Sequence, residues 1–405
     1  MSNRSYTNHY GNPCRSQPSS PARFILLSAF FMAAALAGCS RSAGVLVNLP
    51  ADIDSLLPDY DRAGVAARKA AVPGVSGDSV TVGSTGCDYA TIGEALEKAP
   101  GGIYKFYLMD PVYRVAGLRI ERDAALIGFG ARDTVLEAAA RPEEANAGVL
   151  RIEAGVQAYL SGITVRAGKV TEVPRRGGGV SNSGSLVMED CAVIENLATY
   201  GVGVWTDGRL EMRRCVIAGN VTLARPQLDE YKAVDCGGKG AGLRVEKGGF
   251  ALVEDCLIAY NEAIDAGGAL HISCESSARL VNTMLYGNTA IKRGGAIDLA
   301  GGELEMELCT LAGNSSAGKG QAFFHRGMLS MTGCLFADNG PGDAHYQAKD
   351  KMGEYGGGIF KVDQGNFDSS GSLPHAATGT PSFIRLHVRD IRSRYGAGSH
   401  ASTQD

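Results

Sequence analysis

Ten cysteines occur in the 405 residues, yet no two are spaced C-x-x-C. That spacing carries most zinc and thioredoxin-type redox sites, so its absence argues against both. Tryptophan is nearly missing, with one copy at Trp205. Basic charge is not in excess either, since the formal net charge is −4. A chain of this balance has no electrostatic case for nucleic acid and none for polybasic docking on anionic lipid. Only one long apolar run exists, residues 24–39, and it is too short to cross a bilayer comfortably. What is abundant is glycine, 55 residues, beside ample Val, Ile and Leu. That mixture excludes disorder, which starves a chain of apolar residues, and points to short strands joined by tight turns.

The N-terminus reads as a targeting segment. Residues 1–23 are polar and hold Arg4, Arg15 and Arg23 but no acid. "FILLSAFFMAAALAGC" follows and ends at Cys39. Its last four residues resemble the bacterial lipobox, in which the cysteine is lipidated and becomes the new N-terminus. Residues 1–38 are thus expected to be a lipoprotein signal peptide and Cys39 the lipid attachment site. A plain secretory signal cleaved nearby, or a membrane anchor, is the alternative, and the long polar lead allows a start codon downstream of Met1. Removing residues 1–38 takes three arginines and no acid, which moves the net charge from −4 to −7. The implied location is the bacterial cell envelope, as an outer-membrane lipoprotein, periplasmic or surface-exposed. Residues 39–78 read as a tether with room for one short helix.

An internal repeat sets the fold. Asn196, Asn220, Asn261, Asn288, Asn314 and Asn339 each end a short apolar run, at steps of 24, 41, 27, 26 and 25. Five residues before each stands Cys191, Cys215, Cys256, Thr283, Cys309 or Cys334. Glycine-rich text such as "GGAL" and "GGAI" opens each unit. A period near 25 with alternation inside it is the mark of a solenoid whose coils bury their inward residues against their neighbours. In "LEMRRCVIAGN", Leu210 and Met212 should point in, Glu211 and Arg213 out, and Cys215 and Ile217 in. The expected fold is all-β, a right-handed parallel β-helix with three short strands and three turns per coil. The cysteines should form one inward stack, with Thr283 replacing a thiol by a group of similar bulk. The asparagines should form a second stack at a corner, where their tolerance of left-handed backbone and their amide ladder both serve structure. Cys236 and Cys274 fall outside the row and lie close enough in the repeat to pair.

The repeats resemble the glycine-rich β-helix repeats of chlamydial polymorphic outer-membrane proteins. "GGAL" (267–270) and "GGAI" (294–297) match that family's first motif, and "FADN" (336–339) its "FxxN" motif. The other coils carry "IxxN", "LxxN" or looser text. "GGAIDLAGGELEMELCTLAGN" is also similar to repeats of spirochaete and Bacteroidetes β-helix lipoproteins. Upstream, residues 88–138 resemble the opening of pectin-lyase-like proteins, with "TIGEALEKA" as an N-terminal capping helix and "AALIGFG" as a strand. "LSGITVRAG" (160–168) is a further coil, with Ile163 in the cysteine column and Gly168 in the asparagine column. The implied layout is a cap and first coils over 79–177, glycine-rich repeats over 178–339, and a last coil, C-terminal cap and tail over 340–405.

Enzymes of the pectin-lyase-like group place clustered carboxylates on outward faces, and two outward rows test for them. One row reads Val187, Glu211, Leu252, Arg279, Glu305, Ser330; the other reads Glu189, Arg213, Glu254, Val281, Glu307, Thr332. Neither holds three neighbouring carboxylates, and their signs alternate as cross-strand pairs do. A third row, Trp205, Arg244, His271 and Asp298 on consecutive coils, should face outward as well. Trp205 beside Arg244, His271 and Asp298 would stack on and hydrogen-bond a sugar, and His271 oriented by Asp298 is also a weak candidate base beside Arg244. A variegated solvent face is the plainer expectation. The row Ala192, Val216, Leu257, Met284, Thr310, Leu335 should also face out although mostly apolar, covered by a loop or a partner. Insertions at 166–177, 221–239 and 340–355 leave from one corner, often the binding edge of a solenoid. The expected function is a cell-envelope lipoprotein with a binding or structural module, adhesin-like or glycan-binding. Its partners would be the membrane, through the lipid, and a glycan or surface protein, with no cofactor, metal or nucleic acid. The alternative is a polysaccharide lyase or glycoside hydrolase.

Overall fold

A computed structural model describes residues 53–57, 78–172, 176–223, 237–340, 345–347, 360–362 and 367–368. Every strand pair it contains is parallel, and the strands stack into four sheets of eleven, ten, six and nine members. The chain winds as a parallel β-helix. One coil shows the plan: Val204–Thr206 belongs to the nine-stranded sheet, Arg209–Arg213 to the eleven-stranded, Val216–Ala218 to the ten-stranded and Val221–Thr222 to the six-stranded. The coil therefore has four strands where three were expected. The extra strand is two residues long, and two residues carry no alternation to read.

Alternation governs the long strands as anticipated. Leu210 and Met212 are fully buried while Glu211 and Arg213 are partly exposed. On the outer side Arg213 bridges Glu189 at 3.6 Å and Glu254 at 2.9 Å, and Arg279 holds Glu305 at 3.8 Å and Glu307 at 3.1 Å. All are cross-strand pairs, in register except for the diagonal Arg279–Glu307. The inner side is one continuous core from Val80 to Phe336.

From Gln157–Ser161 to Met328–Thr332 the corner after each long strand is turned by a residue with positive φ, and most of these are not glycine: Asp190, Arg214, Asp255, Asn282 and Leu308 lie between 46° and 54°. Left-handed geometry is costly for such residues. Here it is repeated in register and secured by side chains, with Arg214 donating to both oxygens of Asp190 at 2.8 and 3.1 Å.

The helix Ile92–Lys98 begins at Thr91, whose hydroxyl accepts from the Glu94 amide at 3.2 Å. Arg122 satisfies its last carbonyls, reaching Ala99 O at 2.7 Å. Ile92, Ala95 and Leu96 enter the common core, so the helix closes the first coil where a bare solenoid end would expose apolar side chains. In the tether, Ile53–Leu56 forms a 3-10 turn. The apolar row expected to face outward is buried: Ala192 and Val216 are fully covered and Leu257, Met284, Thr310 and Leu335 are each 2 % exposed. Ile53 lies against this side of the solenoid, since a Cβ at Gly219 would collide with its Cδ1. Cys236 lies outside the described residues, as do Cys39, the signal segment, the core of the 221–239 insertion and most of the tail. Cys274 is a free, exposed thiol.

Candidate functional site

The asparagines point inward. Asn196, Asn220, Asn261, Asn288 and Asn314 have no exposed surface, and Asn339 has 7 %. The side-chain amides of Asn196 to Asn314 each donate to the carboxamide oxygen of the next coil at 2.9–3.0 Å. The same oxygen accepts that neighbour's backbone N–H, as Asn288 Oδ1 does from Asn261 N at 3.0 Å. Gly168, placed in this column by the repeat, donates its N–H to Asn196 Oδ1 at 2.9 Å. The left-handed residue of this corner is the one before the asparagine, such as Glu195 or Gly219, and not the asparagine itself. The cysteines stack beside them, buried and free, each thiol donating to the carbonyl two residues back, as Cys215 does to Arg213 at 3.3 Å. Burial holds the Cys191, Cys256 and Cys309 thiols well above their ordinary range, so they stay protonated and inert.

Trp205, Arg244, His271 and Asp298 are in register on successive strands of the nine-stranded sheet, as aligned. They are not on a solvated face: their exposures are 2, 8, 3 and 0 %. The cover comes from the corner five residues earlier in each coil, where Arg176, Tyr200, Lys239, Ala266, Arg293 and Lys319 form their own parallel column. Three of these corner side chains lean over the next coil. The Arg176 guanidinium sits 3.7 Å from the centre of the Trp205 ring, Tyr200 stacks on Arg244 at 4.8 Å, and Arg293 lies 5.2 Å from Phe324. Arg176 therefore occupies a face of Trp205 that a sugar ring would need. Arg176 Nε, Arg244 Nη1 and Asp207 Oδ1 are buried here without a protein hydrogen-bond partner.

His271 and Asp298 do meet, with Nδ1 2.8 Å from Oδ2. Arg293 grips the same carboxylate through Nε at 3.0 Å and Nη2 at 3.2 Å. Burial opposes the Asp298 charge, but the hydrogen bond from His271 and the pairing with Arg293 outweigh it and hold the group well below the usual carboxylate range. Burial, then the nearby Arg244 charge, push His271 below the ordinary imidazole range against the pull of Asp298. The ring is thus a neutral Nδ1–H donor to a fixed anion. This dyad has the orientation of a general base and its carboxylate, yet both members are sealed in the corner layer.

The buried imidazole has a consequence for pH. Above about pH 6.5, the free imidazole value, His271 is neutral in folded and unfolded chains alike and its contribution is complete. As pH falls below that value the unfolded chain takes up the proton first, so stability is lost until the folded value is reached. His325, lowered by its own burial, acts in the same direction. The urea midpoint is expected to drop between pH 7 and pH 5, and His271→Gln to flatten that drop. An unchanged slope in the variant would show that His271 does not titrate in this window.

A second feature lies at the corner between the nine- and eleven-stranded sheets. There an open groove of about 610 Å³ is lined by Gly248, Phe250, Glu275, Gly302, Arg326 and Met328 among others. It runs over four coils, about 14 Å at the spacing of parallel strands. Its floor is backbone. A Cβ at Gly302 would strike the carbonyls of Ser273 and Ser276, and one at Gly327 the carbonyl of Gly302. Glu275, Glu303, Arg326 and Met328 stand exposed along it, and Phe250 is partly exposed. The alignment of the Asn and Cys columns missed this groove, although glycines at 208, 249, 302 and 327 recur in the same turn and were a legible signal.

No group of three His, Cys, Asp or Glu side chains able to hold a metal occurs among the described residues. The β-helix offers a structural or binding module, with a buried polar layer at one corner and an open groove at another. No protein-family model matches the chain, and no curated protein matches it.

Proposed function

We propose that this chain is a cell-envelope lipoprotein, held to a membrane by a lipid on Cys39, whose β-helix binds a glycan of another surface in an adhesin-like role. The observation that carries the binding half is the open corner groove. Exposed peptide groups, carboxylates at Glu275 and Glu303, the Arg326 guanidinium and the apolar edges of Phe250 and Met328 together suit a hydroxyl-rich chain with apolar ring faces. The lipobox-like "LAGC" motivates the anchor. The likeness of the repeats to those of chlamydial polymorphic outer-membrane proteins, and of residues 88–138 to the opening of pectin-lyase-like proteins, fits a surface solenoid. The burial of the His271–Asp298 dyad favours binding over the alternative of a carbohydrate-active enzyme.

The mature domain, screened on a panel of acidic and neutral polysaccharides, is expected to retain at least one. Phe250→Ala with Arg326→Ala should weaken that retention at least tenfold. Release of unsaturated or reducing ends would replace the binding role with a catalytic one. In the producing cell, Cys39→Ala should move the protein from the membrane to the soluble fraction. Retention of that variant after a high-salt wash would refute the lipid anchor.

A further inference from the structure

We infer that the segment Ile53–Leu57 is a strap that fixes how the β-helix is presented, turning the ten-stranded sheet toward the bilayer and the glycine groove away from it. The inference rests on the lipid anchor at Cys39. It begins with the seat of the strap. Leu56 is 1 % and Leu57 6 % exposed, far too buried for a free tether. The Leu57 carbonyl accepts from Arg132 Nη2 at 2.8 Å. Ile53 fills a notch at Gly219, the small residue between Glu195 and Tyr260 in that corner column. Any side chain at 219 would meet Ile53. The strap thus crosses from the turn leading into Val135–Glu137 to the end of Val216–Ala218, both strands of the ten-stranded sheet.

Chain length turns this seat into an orientation. From Cys39 to Ile53 is 14 residues, a reach of at most about 50 Å. Were the chain free up to the first strand at Asp78, 39 residues would allow about 130 Å. Docking removes more than half of that freedom and moves the attachment from the first coil to the side of the solenoid. The order of strands in a coil then decides what faces outward. The groove is the corner joining the nine- and eleven-stranded sheets, and the ten- and six-stranded sheets close the opposite side. A β-helix held by the ten-stranded side presents the groove to whatever lies beyond the membrane.

Two probe positions test this in vesicles carrying the purified lipidated protein and a headgroup-labelled energy acceptor. Cys274, the native exposed thiol beside Glu275, marks the groove. Glu195→Cys, made with Cys274→Ser, marks the strap side, and Cys87→Ser with Cys236→Ser leaves each label unique. The probe at 195 should transfer energy to the lipid at least twofold more efficiently than the probe at 274. Ile53→Asp with Leu56→Asp should abolish the difference while leaving Trp205 emission as in the parent, which shows that the solenoid is intact. Equal transfer from both probes, or a difference that survives release of the strap, overturns the orientation. Protein that fails to sediment with the vesicles in a Cys39-dependent way overturns the anchor instead, so the two failures are distinct.

Discussion

Asp298→Ala is expected to lower the unfolding free energy by about 3–5 kcal/mol, the usual cost of breaking a buried ion pair from one side. Asp298 has no exposed surface and serves two partners on two coils. Its loss takes the acceptor from the His271 Nδ1–H and two charged hydrogen bonds from the Arg293 guanidinium. Arg293 keeps a quarter of its side chain exposed and will recover some hydration, which places the effect toward the lower end of that range. Asp298→Asn should cost less, since an amide oxygen still accepts from His271 while the charge facing Arg293 disappears. Pairing Asp298→Ala with Arg293→Met should recover part of the loss by removing the cation. Trp205, as the sole tryptophan, reports the transition three strands away in the same sheet. A urea midpoint no lower than that of the surface variant Glu307→Ala would mean that the carboxylate is hydrated in solution and the corner layer open.

Asn288→Ala should be nearly as damaging. Asn288 Nδ2 donates to Ile258 O at 2.9 Å and to Asn314 Oδ1 at 3.0 Å, and its own oxygen accepts both the backbone and side-chain N–H of Asn261. Alanine therefore leaves the Asn261 backbone N–H without its acceptor and removes one of the bonds made by Asn261 Nδ2 and by Asn314 Oδ1, which keep their bonds to Ile217 O and Ala259 O and to the residue-288 N–H. At about 1–3 kcal/mol for each buried group left unpaired, a loss of about 3 kcal/mol is expected after the lattice relaxes. Asn339 also accepts twice from its neighbour and donates to Leu311 O, but it donates to no further asparagine among the described residues. Asn339→Ala should therefore cost somewhat less. Glu307, whose pairing with Arg279 is largely hydrated, should shift stability by less than about 0.5 kcal/mol. Urea midpoints ranked in that order support the ladder. Equal and negligible shifts for both asparagines would mean that the column makes no net contribution.

The parts of this molecule that were legible in the sequence share one property. Cys191 to Cys334 and Asn196 to Asn339 repeat at a nearly constant step because parallel coils stack like on like, and a misplaced side chain would turn outward at once. The same logic gave Glu189, Arg213 and Glu254 as paired outward charges and brought Trp205, Arg244, His271 and Asp298 into one register. It did not show that the last four are covered. Alternation says which face of a strand a residue takes and nothing about what lies over that face. The short fourth strand and the left-handed corners at Arg214 and Leu308 were hidden for a related reason. Two residues have no period, and a non-glycine residue with positive φ leaves no mark in composition.

By itself, then, the sequence determined the coil, its register and its inward columns, because nearest-neighbour stacking along one axis writes itself as a period. Only the tertiary structure decided what is sealed and what is open. Arg176 lies over Trp205 and Tyr200 over Arg244 because long side chains at a corner column reach the next coil, and the spacing of that column does not say which of its members are long enough to cover a neighbour. Leu57 meets Arg132 from a segment outside the repeat altogether, while the Gly302 and Gly327 turns become a groove only when successive coils lay their backbones side by side. Contacts across the winding depend on side-chain length and on the packing of whole coils, and neither is written in local spacing.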